Sequence, residues 1–314
     1  MSAEASYRRW WKLAVKVAVS VGLLAFLLRR IDLAATGRFI MGVDKPLLAA
    51  AVMLYLAGQV LSALKWRRLA VAVGFTDPPA RFVAYYFVGM FFNAFGFGTV
   101  GGDFVRAFYL SGTTGRRALA LNTVVADRVS GLLVLLGIAF ASLVVFHEYE
   151  LPAALYWGVL AMSSALLGGW RLLPRVLPWF VSRENRLRRI VEEGLAPYWS
   201  DGALLAEVGC IALAFHLSQI GVLVVLTRAL ALDVPWSYCF VFGPLVNILT
   251  AVPVSLNGLG IREGGYVFFL SHIGVGRESA IAFALTWFAV VLVCGLAGAV
   301  VYLGSGLRGR DLEK

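Results

Sequence analysis

Two stretches decide how this chain folds: FVAYYFVGMFFNAFGFGTVGGD (residues 82–103) and YCFVFGPLVNILTAVPVSLNG (residues 238–258). Both are apolar enough to reach membrane depth. Both are also studded with Gly and Asn, and the second with Pro, which an uninterrupted lipid-facing helix tolerates poorly. Broken backbone at that depth is viable only where protein or a watery cavity supplies its hydrogen bonds. The two stretches therefore predict re-entrant hairpins, over 82–110 and 238–275, in place of full spans.

The composition around them points the same way. Of 314 residues, 60% are hydrophobic and 15% charged, with a mean hydropathy of +0.82. A soluble domain carries about 25% charged and about 45–50% apolar residues, and its core could not hide the excess. Disorder, a disulfide scaffold and a soluble enzyme are excluded on this ground. The 28 Lys and Arg against 18 Asp and Glu give a net charge of +10. These cations cluster at the ends of apolar runs, where they meet lipid phosphates and set topology, so nucleic acid is not expected as a partner. Cys210, Cys239 and Cys294 stand far apart in apolar stretches with no CxxC spacing, and neither a metal nor a cofactor is implied.

A bilayer core of about 30 Å needs roughly 20 apolar residues per helix. Full spans are expected at about 13–28, 46–64, 129–147, 152–170, 203–227 and 278–303. Arginine and lysine counts in the connections place both termini in the cytoplasm, in a multi-pass protein of the cell inner membrane. The connection 29–45, with Arg29, Arg30, Arg38 and Lys45, runs against that count. The loop 171–202 mixes arginines with Leu, Val, Trp and Phe. It reads as a basic amphipathic helix on the inner leaflet or as a plain solvated linker. Trp10, Trp11, Trp66, Trp157, Trp179, Trp199 and Trp236 fall near expected span ends, as an aromatic belt does.

The chain repeats itself. Gly89-x-x-x-Asn93 and Gly243-x-x-x-Asn247 sit in the two broken stretches. Each is followed by a glycine cluster and an arginine: Gly101, Gly102, Asp103 and Arg106, then Asn257, Gly258, Gly260, Arg262 and Glu263. A Gly-Arg pair then opens a long apolar helix, at Gly115-Arg116 and Gly276-Arg277. The charge count sends the first hairpin in from the cytoplasm and the second from the other face. The expected architecture is one all-α polytopic membrane domain (1–314) with six full spans and two re-entrant hairpins in an inverted-topology repeat (46–147 and 203–304). Transporter substrate sites commonly lie near mid-membrane where such repeats meet.

Ionisable residues at membrane depth are costly and by default mark function. Arginine forks bind phosphate, and Gly-rich backbone can present N–H groups to an anion. Arg106 and Arg262, with Gly101, Gly102 and Gly258, are the candidate lipid-phosphate site. In the competing reading, Asp103 and Glu263 simply neutralise arginines that cap the hairpins. Asp127-Arg128 opens the third long span, as a headgroup gate or as an ion pair at a helix start. Asn93 and Asn247 satisfy broken backbone or bind a headgroup. Glu207, His216 and Gln219 on the fifth span form a proton relay or interhelical hydrogen bonds. The small-residue run CGLAGAV (294–300) suits close helix packing within or between protomers, which leaves a homo-oligomer open. Catalytic motifs are scarce: there is no HExxH, GxSxG, P-loop or Rossmann fingerprint in a suitable context.

The runs ALKWRRLAVAVG (63–74), VGMFFNAFGFGTVGGDFVRAFYL (88–110), RRALALNTVVADRVSGLL (116–133) and PVSLNGLGIREGGYVFFLSHIGV (253–275) resemble the transmembrane, flippase-like region of lysylphosphatidylglycerol synthases. The likeness extends over about residues 8–304, and the chain has the look of a stand-alone member without a synthase domain. It implies two inverted re-entrant repeats and movement of lipid between leaflets. In two-domain relatives the lipid is aminoacylated phosphatidylglycerol; stand-alone relatives are associated with polyprenyl-linked sugars, hopanoids or other lipids. Trp287-Phe288 stands around the place where relatives often carry an arginine, which removes the ground for a second gate charge there.

The function expected is flipping of an anionic phospholipid or polyprenyl-linked intermediate. Two rivals stand beside it: a membrane enzyme acting on a polyprenyl-phosphate lipid, and a scaffold for lipid or glycan synthases.

Overall fold

The computed structural model describes residues 40–95, 99–112, 116–180, 198, 201–251 and 258–304. The expected first span (13–28), the stretch 181–197, Asn257 and the chain termini lie outside the described residues. Among the described residues nine α-helices follow one another: α1 (Lys45–Ala72), α2 (Pro79–Phe95), α3 (Thr99–Gly112), α4 (Arg117–Val145), α5 (Ala153–Phe180), α6 (Gly202–Ala229), α7 (Trp236–Ala251), α8 (Ile261–His272) and α9 (Arg277–Gly304). Among the described residues there is no strand. Helices α1, α4, α6 and α9 are each long and apolar enough to cross a bilayer, and 153–169 of α5 and all of α7 are shorter apolar helices. The protein is an all-α, multi-pass membrane protein.

Local signals set the helix ends. Asp44 caps α1 by accepting from Leu47 N at 2.9 Å, and Asp201 caps α6 by accepting from Leu204 N at 2.9 Å. Each satisfies a donor that the first helical turn leaves open. Past the end of α1, Arg116 donates to the carbonyls of Val73 (2.9 Å) and Gly74 (3.3 Å), tying the start of α4 to the end of α1.

Three spans differ from expectation in extent. α1 runs on to Ala72, eight residues past 64, because ALKWRRLA contains no helix breaker and its cations are not enough to end a helix. α4 begins at Arg117 for the same reason, so Asp127 and Arg128 do not open it; they lie about 15 Å along it. α5 continues to Phe180, so the first part of the expected loop 171–202 is helix.

α1 and α6 form the most extensive helix pair and run antiparallel. Asp44 N donates to Ala229 O at 2.9 Å at one end. Gly58 faces Ser218 and Gln219 midway, and Arg68 pairs with Glu207 at the other end. Two helical hairpins flank this pair. The base of α2–α3 lies at the end where α1 stops and α4 starts. The base of α7–α8 lies at the opposite end: the Tyr149 and Ser237 hydroxyls share a 2.6 Å hydrogen bond, and His272 Nε2 donates to Tyr149 O at 2.9 Å. α4, with 29 residues, separates the two ends by about 43 Å. The packing survives an exchange of halves. α2 packs on α9 as α7 packs on α4, and α3 on α4 as α8 on α9.

Glycine allows the closest approaches. A Cβ on Gly102 would collide with the Gly89 carbonyl and the Asn93 amide, and one on Gly298 would collide with the Phe87 carbonyl. The run 294–300 thus packs against α2 within the protomer. Trp157, Trp179 and Trp236 are highly exposed, as a belt requires, but Trp66 is fully buried. Its indole N–H donates to Thr123 Oγ1 at 2.9 Å, holding α1 to α4. Trp66 is therefore not a belt residue, because the helix it sits on does not end where its cations cluster.

Candidate functional site

Both hairpins line one cavity of about 540 Å³, together with α1, α4, α6 and α9. Of the twelve residues singled out by sequence, Asn93, Gly102, Asp103, Arg106, Asp127, Arg128, Asn247 and Arg262 line it. Gly101, Gly258 and Glu263 do not, and Asn257 lies outside the described residues. The lining carries four cationic side chains, Lys65, Arg106, Arg128 and Arg262, against two carboxylates, Asp103 and Asp127. That excess of positive charge favours an anion.

At one end the charges are interlocked. Arg106 Nη1 donates to Asp127 Oδ2 at 2.8 Å, and its Nη2 lies 3.1 Å from Asp103 Oδ1. Arg128 grips Asp103 with two bonds of 2.9 Å. Lys65 Nζ donates to the Asp127 carbonyl at 2.8 Å and lies 3.0 Å from its Oδ1. Lys65 and Arg106 are 3% exposed and Asp127 is 4% exposed. Ions this deep persist only when paired and hydrogen-bonded. The rings of Trp66 and Tyr86 each lie 5.1 Å from the Arg106 guanidinium carbon, and the Tyr86 hydroxyl shares a 2.8 Å bond with Ser62.

The other end is aromatic. The Arg262 guanidinium lies 4.5 Å over the Trp287 ring, which in turn meets Tyr55 at 6.5 Å and Tyr266 at 6.2 Å between centroids. Gly258, at φ +75°, lies beneath this head: a Cβ there would stand 2.9 Å from Thr250 and 3.4 Å from Arg262 Nη2. A side chain is strained at that φ, so glycine fits both the turn and the contact. Glu263 is turned away from the cavity and accepts from Gly260 N at 2.5 Å. It caps α8. Asn93 is likewise engaged with backbone, accepting from Gly102 N at 2.8 Å across the first hairpin.

Lys65 falls one residue past the expected span 46–64. It belongs to the cavity because α1 does not stop before it. Tyr55, Gln59, Ser62 and Lys65 all line the cavity from α1, and their three- to four-residue spacing on an otherwise apolar helix was the available signal. Of the fifth-span trio, His216 Nε2 donates to Gly131 O at 2.9 Å and lines the cavity, as does Gln219. Glu207 instead pairs with Arg68, both side chains being about two-fifths exposed. Exposed pairs of this kind contribute little. Glu207→Gln is expected to change stability by no more than about 1 kcal/mol, read by thermal unfolding in detergent; a larger loss would show the pair to be a structural tie between α1 and α6.

Among the described residues no cluster of His, Cys, Asp or Glu could hold a metal ion. The family model that describes the lysylphosphatidylglycerol synthase TM region matches residues 13–298. A comparison with curated proteins returns no match.

Proposed function

We propose a function from this premise: the chain belongs to the lysylphosphatidylglycerol synthase TM region family, a membrane domain associated with lipid synthesis and flipping. The chain translocates an anionic phospholipid or lipid-linked intermediate between leaflets, as a transporter and not as an enzyme. One observation carries the reading: Arg106 from the first hairpin and Arg262 from the second meet in a single cavity whose lining is net positive. The antiparallel α1–α6 pair, and hairpins based at opposite ends, support an inverted-topology repeat with the cavity at its centre. A site of that kind can be opened to either side in turn. The headgroup would pass through the polar cavity while the tails stay in hydrocarbon. The orientation that fits the arginine counts has both termini in the cytoplasm, in the cell inner membrane.

The test is reconstitution of the full chain in liposomes, scoring labelled phosphatidylglycerol and polyprenyl phosphate on the opposite leaflet. Arg106→Ala and Arg262→Ala are expected to slow transfer by at least about tenfold, the effect of losing one charge-assisted contact. Unchanged transfer by both variants, with normal insertion, would remove the reading. Consumption of the lipid in detergent, with no second leaflet, would point instead to an enzyme.

A further inference from the structure

The contact between α1 and α6 holds a pair of amides. Gln59 stands nine residues before Arg68 on α1, and Gln219 stands nine residues before Arg228 on α6. The match continues around them: Tyr55 and Phe215 lie four residues earlier, Gly58 and Ser218 one earlier, Val60 and Ile220 one later. Tyr55, Gln59, Phe215 and Gln219 all line the cavity. Equivalent positions also meet across the helix pair, since a Cβ on Gly58 would stand 2.5 Å from Ser218 Oγ and overlap the Gln219 amide. A residue meets its own equivalent only beside the axis that exchanges the two halves. The glutamines therefore flank that axis, near the middle of both helices.

We infer that Gln59 and Gln219 form an uncharged station in the cavity wall, which binds the hydroxyl groups of a polyol headgroup on an anionic lipid. The inference rests on the translocation reading and names the headgroup chemistry within it.

Gln59 is 6% exposed, and among the described residues no hydrogen bond engages its amide. Buried polar groups are rarely left unpaired, and an exception that lines a cavity marks a place for a ligand or a water. Gln219 commits only its Nε2, in a long 3.4 Å bond to Ser218 Oγ, and keeps its carbonyl oxygen. An amide presents donors and an acceptor in one plane, and a hydroxyl is likewise both donor and acceptor. A phosphodiester only accepts and an ammonium only donates, so neither matches both sides of an amide. The ammonium is disfavoured further by a lining with four cationic side chains against two carboxylates. Because the two amides are equivalent, a headgroup arriving from either end meets the same partners, as a path opened to each side in turn requires.

The experiment titrates the purified full chain in detergent, by calorimetry, with dihexanoyl phosphatidylglycerol, phosphatidylinositol and phosphatidylmethanol. The three probes share their charge and tails; only the first two carry hydroxyls, on a glycerol or on a ring. The wild type is expected to bind at least one hydroxyl-bearing probe about tenfold or more tighter than the methyl ester, and the tighter of the two names the source of the hydroxyls. Gln59→Leu and Gln219→Leu are each expected to weaken binding of that probe by at least about fivefold, and of the methyl ester by less than about twofold. A merely structural tie between α1 and α6 would weaken all probes alike, and that result would overturn the inference. Equal binding of the three probes by the wild type would overturn it too, and decides alone if the leucine variants do not fold. Failure of the two readings can be told apart. A hydroxyl preference lost in the leucine variants, without lipid movement by the wild type in liposomes, removes translocation and leaves the station. Lipid movement with no hydroxyl preference in binding removes the station and leaves translocation.

Discussion

Asp127→Leu is expected to lower stability by about 3–5 kcal/mol, the cost of breaking a buried ion pair by removing one partner. The residue is the hub of the interlocked charges: Arg106 reaches one of its oxygens at 2.8 Å and Lys65 lies 3.0 Å from the other. Its loss leaves Lys65 with only a backbone carbonyl as hydrogen-bond acceptor and removes one of the two carboxylates that Arg106 meets. Both cations, Lys65 on α1 and Arg106 on α3, are only 3% exposed. Lys65→Met combined with Asp127→Leu removes the stranded ammonium, and should recover a substantial part of the loss, because an apolar replacement of a buried pair is often close to neutral. Thermal unfolding of the purified protein in detergent, read by circular dichroism for the single and double variants, checks both statements. A single-variant loss below about 1 kcal/mol, the range of exposed pairs, would mean that water reaches this network and that it does not clamp the first hairpin.

The sequence made the membrane class legible because hydropathy is a bulk property, and its Gly, Asn and Pro mark, for a local steric reason, the stretches in which the helix pairs α2–α3 and α7–α8 fall. Helix extents were less legible. Lys65, Arg67, Arg68 and Arg128 look like span-ending cations when charge alone is counted. A membrane helix can carry such residues inward whenever another part of the fold supplies counter-charges, and here Asp127 does so for Lys65 while Asp103 does so for Arg128. The Lys65–Asp127 pair joins residues 62 positions apart, so no local window contains it. The same limit applies to Trp66 and Trp287. Each was read as part of a stretch, one as belt and the other as a departure from relatives, yet each lies against an arginine from a different helix.

Part of the candidate cavity's lining was legible as well. Repetition of G-x-x-x-N and of the glycine–arginine clusters picked out Arg106 and Arg262, and the cavity holds both. Repetition could not report where the halves differ. The asymmetry of the cavity is thus a tertiary property: the Arg106 guanidinium meets two carboxylates, and the Arg262 guanidinium lies over an indole.

Gly102→Ala is expected to be nearly as damaging as loss of Asp127, by a mechanism without charge. The new methyl would overlap the Gly89 carbonyl and the Asn93 side chain, so α2 and α3 must part and the 2.8 Å bond from Gly102 N to Asn93 is strained or lost. Overpacking of this sort costs about 1–3 kcal/mol, and more where the obstacle is backbone that cannot rotate away. The helix-propensity gain of alanine over glycine, about 1 kcal/mol, is too small to offset it. Gly298→Ala should act alike from the opposite side of α2, since its methyl would meet the Phe87 carbonyl and lie 2.9 Å from the Phe91 Cβ. Gly137, on α4 with nothing within 4 Å of an added Cβ, is the control: Gly137→Ala should be neutral or stabilising by up to about 1 kcal/mol. Unfolding midpoints for the three variants give the comparison, and lipid transfer in liposomes should fall for Gly102→Ala and Gly298→Ala but not for Gly137→Ala. α2 carries Gly89, Met90 and Asn93 into the cavity wall, so forcing it off either neighbour reshapes the site. If Gly102→Ala matched Gly137→Ala in both measurements, the close helix contact would not be what holds the first hairpin, and the ion network alone would have to do so.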